Sequence, residues 1–245
     1  VADDYFRSTD DLFQFAFSKH LHYDVNMGWL FFAIPFDAYM GANIKYIRRQ
    51  IDETIGTGTG LLSLMLAQKN PKALIDAVEI DAQAAAQATE NFAASPWKDR
   101  LRCINTDILS FSPEKKYTFI FSNPPFFEDD LRSADARKNN AKHDTVLHLA
   151  RLVQRAQELL SEKGVFAALL PGHRVDYFIE AAAEQGLALL QKVWVKQTDK
   201  HGHFRGIVFV GHRTANSSES VICIKNEETY SPEFVELLKD YYLYL

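Results

Sequence analysis

The sequence predicts an α/β fold: a mostly parallel sheet with helices on both faces and an antiparallel hairpin toward the C terminus. Three observations predict it. From about Gly60 onward, short apolar runs rich in β-branched and aromatic residues alternate with stretches at helical spacing. Gly56-Thr57-Gly58-Thr59-Gly60 precedes the apolar run Leu61 to Ala67, the pattern of a tight strand-to-helix turn. Two late strand-like runs are joined by the polar stretch Gln197 to Phe204, as in a hairpin.

Taken in order, the glycine turn leads into a helix over about 60–69, then a strand over 74–79 and a helix over 82–94 that carries Ala84, Ala85 and Ala86. Strands follow over 101–104 and 117–122. Leu147, Ala150, Leu152, Val153, Ala156 and Leu160 fall near helical spacing, which predicts a helix over about 145–161 before a strand from Val165 to Leu170. A helix over 174–185 precedes the paired strands, about 187–196 and 205–212. The tail adds a strand from Ser220 to Ile224 and a short helix from Pro232 to Tyr242. In a parallel sheet of this kind, ligands sit outside the carboxyl ends of the strands.

A chain of 245 residues with 47% hydrophobic content can bury a full core as one domain. The division expected is an N-terminal segment over 1–50, a lid or the substrate side of the site, and one catalytic domain over 51–245. A formal net charge of −5 excludes a chain-wide nucleic-acid footprint, so any RNA contact must be local. Cys103 and Cys223 sit in apolar strand-like segments, as reduced thiols do, which makes the cytoplasm the expected compartment. The acidic start Val1-Ala2-Asp3-Asp4 is unlike a secretory leader. The longest uncharged apolar run, Val25 to Phe36, is interrupted by Gly28 and Pro35 and is too short to span a bilayer.

Asn123-Pro124-Pro125-Phe126 ends the run Tyr117 to Ser122 and carries the most chemical information. A planar amine that attacks a methyl donor needs acceptors for its two hydrogens and a clamp for its ring. The Asn123 side-chain oxygen and the Pro124 carbonyl are two acceptors, the prolines fix the backbone, and Phe126 offers a face for stacking a flipped base. Two such hydrogen bonds bend the amine toward sp3 and expose its lone pair. The alternative is a strand that ends in a Pro-Pro turn.

The glycine turn supports the first reading. A nicotinamide-type G-x-G-x-x-G would place glycine at Leu61 or Ser63, and neither position has it. With no diphosphate to seat, Gly56, Thr57, Gly58 and Gly60 suit S-adenosylmethionine better than NAD. Glu79, at the end of the second strand, is placed to accept from ribose hydroxyls, and Asp107 after the third to accept the exocyclic amine of the cofactor's adenine. Their apolar neighbours Ile80 and Ile108, together with Asn123, complete the expected cofactor contacts.

These residues carry a resemblance. From Gly56 to the C terminus the chain resembles the class I, Rossmann-like S-adenosylmethionine-dependent methyltransferases, and more narrowly the bacterial tRNA1(Val) adenine-37 N6-methyltransferase family. The narrower likeness rests on the glycine turn, Leu64-Met65-Leu66-Ala67-Gln68, Asp76-Ala77-Val78-Glu79, Ala84-Ala85-Ala86-Gln87-Ala88, Glu90-Asn91, Ser95-Pro96-Trp97, Ser122 to Phe126, and Tyr230-Ser231-Pro232-Glu233-Phe234. The Asn-Pro-Pro-aromatic motif is shared with methyltransferases of DNA adenine, rRNA guanine and protein glutamine. The resemblance implies methyl transfer to N6 of the adenine 3′ of a tRNA anticodon, with no metal, Asn123 and Pro124 orienting the amine and Phe126 stacking on the base. The family's acid two residues before the first glycine is replaced by Thr54, with Asp52 and Glu53 upstream as its candidate substitutes. Asn26-Met27-Gly28-Trp29 only faintly echoes the family's Lys-Val-Gly-Thr-Asp stretch.

For tRNA, the best local basic patch is Lys192, Lys196, Lys200, Arg205 and Arg213, with His201, His203 and His212, against Asp199; a solvated strand face is the competing reading. The loop over 127–145 mixes Arg132, Arg137, Lys138 and Lys142 with Glu128, Asp129, Asp130 and Asp135, as a substrate-gripping loop would. His201-Gly202-His203 lacks a third ligand nearby and is not read as a metal site. The rival functions are N5-glutamine methylation of a protein, rRNA or DNA amino-methylation, a nucleotide-dependent oxidoreductase and a non-catalytic RNA-binding protein.

Overall fold

The computed structural model describes residues 51–124, 149–212 and 216–239. Eight strands form one sheet: β1 (Ile51–Ile55), β2 (Leu74–Glu79), β3 (Leu101–Asn105), β4 (Tyr117–Ser122), β5 (Leu160–Pro171), β6 (Ala188–Lys196), β7 (Arg205–Gly211) and β8 (Ser218–Cys223). Their order is β3-β2-β1-β4-β5-β7-β6-β8. Strands β3 to β5 across the middle of the sheet are parallel, β7 runs antiparallel to both β5 and β6, and β8 joins the edge parallel to β6. The hairpin expected from the sequence is β6–β7. Order reverses at β1, where β2 lies on one side and β4 on the other, and a crevice opens at such a switch point.

Among the described residues, five α-helices accompany the sheet: α1 (Leu61–Lys69), α2 (Ala82–Ala94), α3 over 149–159, α4 (Val175–Glu184) and α5 (Pro232–Leu238). Each central strand sends alternate side chains to opposite layers, so both faces are apolar. In β5, Val165, Ala167 and Leu169 join the layer with Met65, Phe92 and Phe234, while Phe166, Ala168 and Leu170 join that with Val153 and Phe178. Sequence gives α2 its start: Asp81 caps it by accepting from the Ala84 N–H at 2.8 Å. Ser231 caps α5 in the same way, with Pro232 in the first turn.

The largest departure from expectation is β5. It begins at Leu160, where the sequence predicts helix through 161 and strand only from Val165. The polar Ser161-Glu162-Lys163-Gly164 is extended, and the register against β4 shifts between Tyr117↔Leu160 and Phe119↔Val165, so a bulge absorbs the surplus residues. A Cβ on Gly164 would lie 2.9 Å from the Tyr117 carbonyl oxygen, which explains the glycine. β8 starts two residues earlier than expected, and a small hairpin, β9 (Lys225–Asn226) with β10 (Thr229–Tyr230), had no counterpart in the sequence reading. The expected segment over 1–50, the substrate-gripping loop over 127–145, the first residues of the helix over 145–161, Arg213 and the last residues of the tail lie outside the described residues.

Candidate active site

The crevice is built from the carboxyl ends of β1 to β4. Ile55 pairs with Ser122 and with Val78, so Gly56, Glu79 and Asn123 leave three neighbouring strands side by side, about 4.8 Å from strand to strand. The glycine turn and the Asn-Pro motif therefore share one cleft, as the sequence requires. Ser122 locks the junction by donating its hydroxyl to the Ile55 carbonyl at 3.1 Å, a role the sequence reading did not assign it.

In the glycine turn, Gly56, Gly58 and Gly60 have φ of 67°, 55° and 87°, a left-handed backbone that glycine alone adopts without strain. Their surroundings differ. Among the described residues, a Cβ on Gly56 or Gly58 would meet nothing within 4 Å, so both border space left open by them, as suits a turn that receives a ligand. A Cβ on Gly60 would lie 2.5 Å from the Phe92 ring, so this glycine lets α2 pack against the turn. The Thr57 hydroxyl is buried against the Ser63 hydroxyl at 3.1 Å, and Asn91 of α2 donates to the Thr59 carbonyl at 2.8 Å.

Glu79 is buried, and both carboxylate oxygens accept backbone N–H groups: Gly58 at 2.7 Å and Asp81 at 3.0 Å. The carboxylate is thus fixed between the turn and α2, and each oxygen retains a second acceptor position for a hydroxyl. Asn105 donates to the carbonyls of Glu79 and Ile80 at 2.8 and 3.1 Å, and the Thr106 N–H reaches the Glu79 carbonyl at 3.0 Å, which ties the end of β3 to the end of β2. Asp107 lies two residues past β3; its carboxylate accepts the Leu109 N–H at 2.9 Å and shapes the turn. Ile80 is 69% exposed and Leu109 is exposed as well, leaving apolar surface on this side of the crevice. Ile108 packs against the core and accepts from the Arg155 guanidinium. Burial pushes the Cys103 thiol up, and the charge of Glu79 pushes it the same way, so Cys103 is no nucleophile near neutrality.

Asn123 supplies the decisive detail. Its Oδ1 is buried and has no hydrogen-bond partner among the described residues. A buried unpaired acceptor costs about 1–3 kcal/mol, and this one belongs to a residue that leaves its strand next to the glycine turn, where a ligand could bring it a donor. The open glycine turn, the spare acceptor positions of Glu79 and this oxygen together fit a bound nucleoside cofactor and an amine. Pro124 follows directly; Pro125 and Phe126 lie outside the described residues. The candidate substitutes for the acid before the turn, Asp52 and Glu53, pair in mid-strand with Ile75 and Asp76 of β2, well below the crevice.

The patch around the hairpin is less basic than its sequence. Lys192 pairs with Glu219 of β8 at 2.9 Å and lies 5.0 Å from the Trp194 ring centroid, while Trp194 Nε1 donates to the other Glu219 oxygen at 2.8 Å. The lysine expected to face RNA is thus compensated within the fold. His203 stacks on Trp194, with centroids 4.6 Å apart, and His201 Nδ1 shares a hydrogen bond with the Thr198 hydroxyl. Among the described residues, no group of three or more His, Cys, Asp or Glu is placed to hold a metal, and no helix is long and apolar enough to cross a membrane.

A sheet ordered in this way, reversed in one strand near its end and carrying its glycine turn after β1, is the fold of class I methyltransferases. A solved structure of a predicted O-methyltransferase from Agrobacterium tumefaciens matches over 80% of this chain and 91% of its own, with a TM-score of 0.61 at 13% identity. The glycopeptide N-methyltransferase MtfA complexed with sinefungin matches over 74% and 85%, with a TM-score of 0.52 at 12% identity. A family model, methyltransferase small domain, matches residues 43–173, and the chain belongs to that family. It is 40% identical over 207 residues to the tRNA1(Val) (adenine(37)-N6)-methyltransferase of Dyadobacter fermentans, covering 82% of this chain and 85% of the relative. Similarity to the protein of the same name from Vibrio campbellii is 34% over 204 residues, covering 83% and 85%.

Proposed function

We propose that the protein transfers a methyl group from S-adenosylmethionine to N6 of an adenine in tRNA, and specifically to adenine 37, next to the anticodon of tRNA1(Val). The relatives named above support the substrate, and the Oδ1 of Asn123, which has no partner among the described residues and belongs to a strand end next to the glycine turn, carries the chemistry. S-adenosylmethionine, when bound, supplies an electrophilic methyl group.

The residues of the chain hold and orient. Gly56 and Gly58 border the cofactor's methionine side, where a side chain would intrude. Glu79 keeps its free acceptor positions for the ribose hydroxyls, and Asp107, with Ile80 and Ile108, borders the adenine. Asn123 Oδ1 and the Pro124 carbonyl accept the two N–H groups of the substrate amine, which directs its lone pair along the line of attack, and Phe126 stacks on the base. No strong base is needed, because the amine becomes acidic only after it has gained the methyl group. Positioning supplies most of the rate. The same reading makes residues 51–245 the transfer domain and assigns residues 1–50 to the substrate side.

The test is partition of label. With methyl-labelled S-adenosylmethionine, the purified protein is expected to label total tRNA and leave a protein extract unlabelled. Label in glutamine of protein, with none in tRNA, would replace this reading by its amide-methylating rival.

A further inference from the structure

Five large hydrophobic residues are exposed among those described: Ile80, Leu109, Phe204, Val221 and Tyr230. Ile80 and Leu109 stand at the ends of β2 and β3, on the side of the crevice assigned to the cofactor. Phe204 stands on the other side. Because β6 runs parallel to β5 and β4, the turn from β6 into β7 emerges at the same edge of the sheet as Asn123. Two strand spacings, about 10 Å, separate β4 from β7, and the register carries Phe204 roughly a further 10 Å beyond Asn123 along the strand direction.

This turn is held in shape. The Gly172 N–H, just after β5, donates to the Phe204 carbonyl at 2.9 Å, and the Phe204 N–H donates to the Val195 carbonyl at 3.1 Å. Gly172 lies so close to the His203 carbonyl that a Cβ there would collide with it, and His203 lies flat on Trp194. The Phe204 backbone is thereby fixed while 38% of the residue stays exposed, with the Arg205 guanidinium 5.9 Å from the ring centroid. The two turns and their flanks carry Arg174, Lys196, Lys200 and Arg205, with His173 and His201, against Asp176 and Asp199. In a chain of net charge −5 this is a local concentration of cations on the substrate side of the site.

An exposed ring on an anchored turn, bordered by cations, is the chemistry that grips single-stranded nucleic acid, in which unpaired bases stack on aromatic or guanidinium planes while cations hold phosphates. Resting on the proposed tRNA methylation, we infer that the Pro171–Arg174 turn and the β6–β7 turn form the RNA grip: Phe204 stacks on an unpaired base flanking the target adenine, and Lys196 and Lys200 hold the adjoining phosphates. Lys192, bound by Glu219, takes no part.

The experiment measures binding and turnover of an unmodified tRNA1(Val) transcript by wild type, Phe204→Ala, Phe204→Tyr and the double variant Lys196→Ala/Lys200→Ala, with melting temperatures as a check on folding. Phe204→Ala is expected to raise KM for tRNA about 10-fold, with kcat, cofactor affinity and Tm unchanged, and Phe204→Tyr to restore it. The double variant is expected to lower the salt dependence of binding, d log K/d log[salt], by about 1.4. If wild type methylates the transcript and every variant keeps its KM and salt slope, the grip is wrong while the function stands. If wild type neither binds nor methylates the transcript, the functional reading fails and takes the grip with it.

Discussion

Asn123 is placed by a strand end and held by its neighbours, yet its Oδ1 is left without a protein donor among the described residues. Asn123→Ala is expected to lose most of kcat and nearly keep cofactor affinity, measured by single-turnover methyl transfer beside calorimetry; equal losses in both would contradict the role. Glu79 has the opposite profile. Its carboxylate is aimed by Gly58 and Asp81, so Glu79→Ala should weaken cofactor binding by about 1.5–3 kcal/mol before turnover of bound substrate suffers. Arg100 has a structural role: its guanidinium donates to the carbonyls of Ala67, Asn70 and Ala73 and closes the C-terminal end of α1. Arg100→Ala should lower unfolding stability by about 2 kcal/mol, read from the urea midpoint, and leave catalysis of the folded fraction intact.

At the scale of elements, the turn between β1 and α1 divides its glycines between two tasks. Gly60→Ala forces a Cβ into the Phe92 ring and should destabilise the fold by about 2–3 kcal/mol. Gly58→Ala points into open space; its positive φ costs about 1 kcal/mol, and its main effect should be on cofactor affinity. Thermal melts beside cofactor titrations separate the two, and the reverse pattern would exchange their roles. The β6–β8 edge carries a pH dependence of its own. Hydrogen bonds from Lys192 and Trp194 hold the Glu219 carboxyl below the ordinary glutamate value of 4.5. A lowered folded value means the link is complete above that ordinary value and is lost as pH falls through the lower one. Glu219→Gln should flatten the acid limb of the stability profile in that window by removing the stability held above it, so that stability falls at neutral pH and stays nearly unchanged in acid. Other elements explain what could be read from sequence alone. Central strands buried on both faces announce themselves as unbroken apolar runs, and Asp81 and Ser231 announce their helices. The bulge at Ser161–Gly164 does not, because polar residues with a glycine also spell a turn, and only the Tyr117 backbone beside Gly164 distinguishes the two.

Across the molecule, residues distant in sequence reach one crevice because parallel strands must all end on one edge. That rule let Gly56, Glu79, Asp107 and Asn123 be grouped from the sequence: Glu79 and Asn123 end apolar runs, Asp107 lies just past the strand-like Cys103-Ile104, and Gly56 opens the glycine turn ahead of Leu61 to Ala67. The residues that brace them were not legible: Asn105, Ser122 and Asn91 act on carbonyls of other elements, and partners that far apart leave no spacing to read. Nor was the neutralising of Lys192, whose partner Glu219 lies on a strand added at the edge of the sheet. The central claim is that the crevice presents an adenine amine to Asn123. Its most direct test is mass spectrometry of nucleosides and mapped fragments from tRNA1(Val) incubated with S-adenosylmethionine and either wild type or Asn123→Ala. The account predicts N6-methyladenosine at position 37 with wild type and nearly none with the variant; an unmodified position 37 with wild type, or equal methylation by both proteins, would contradict it.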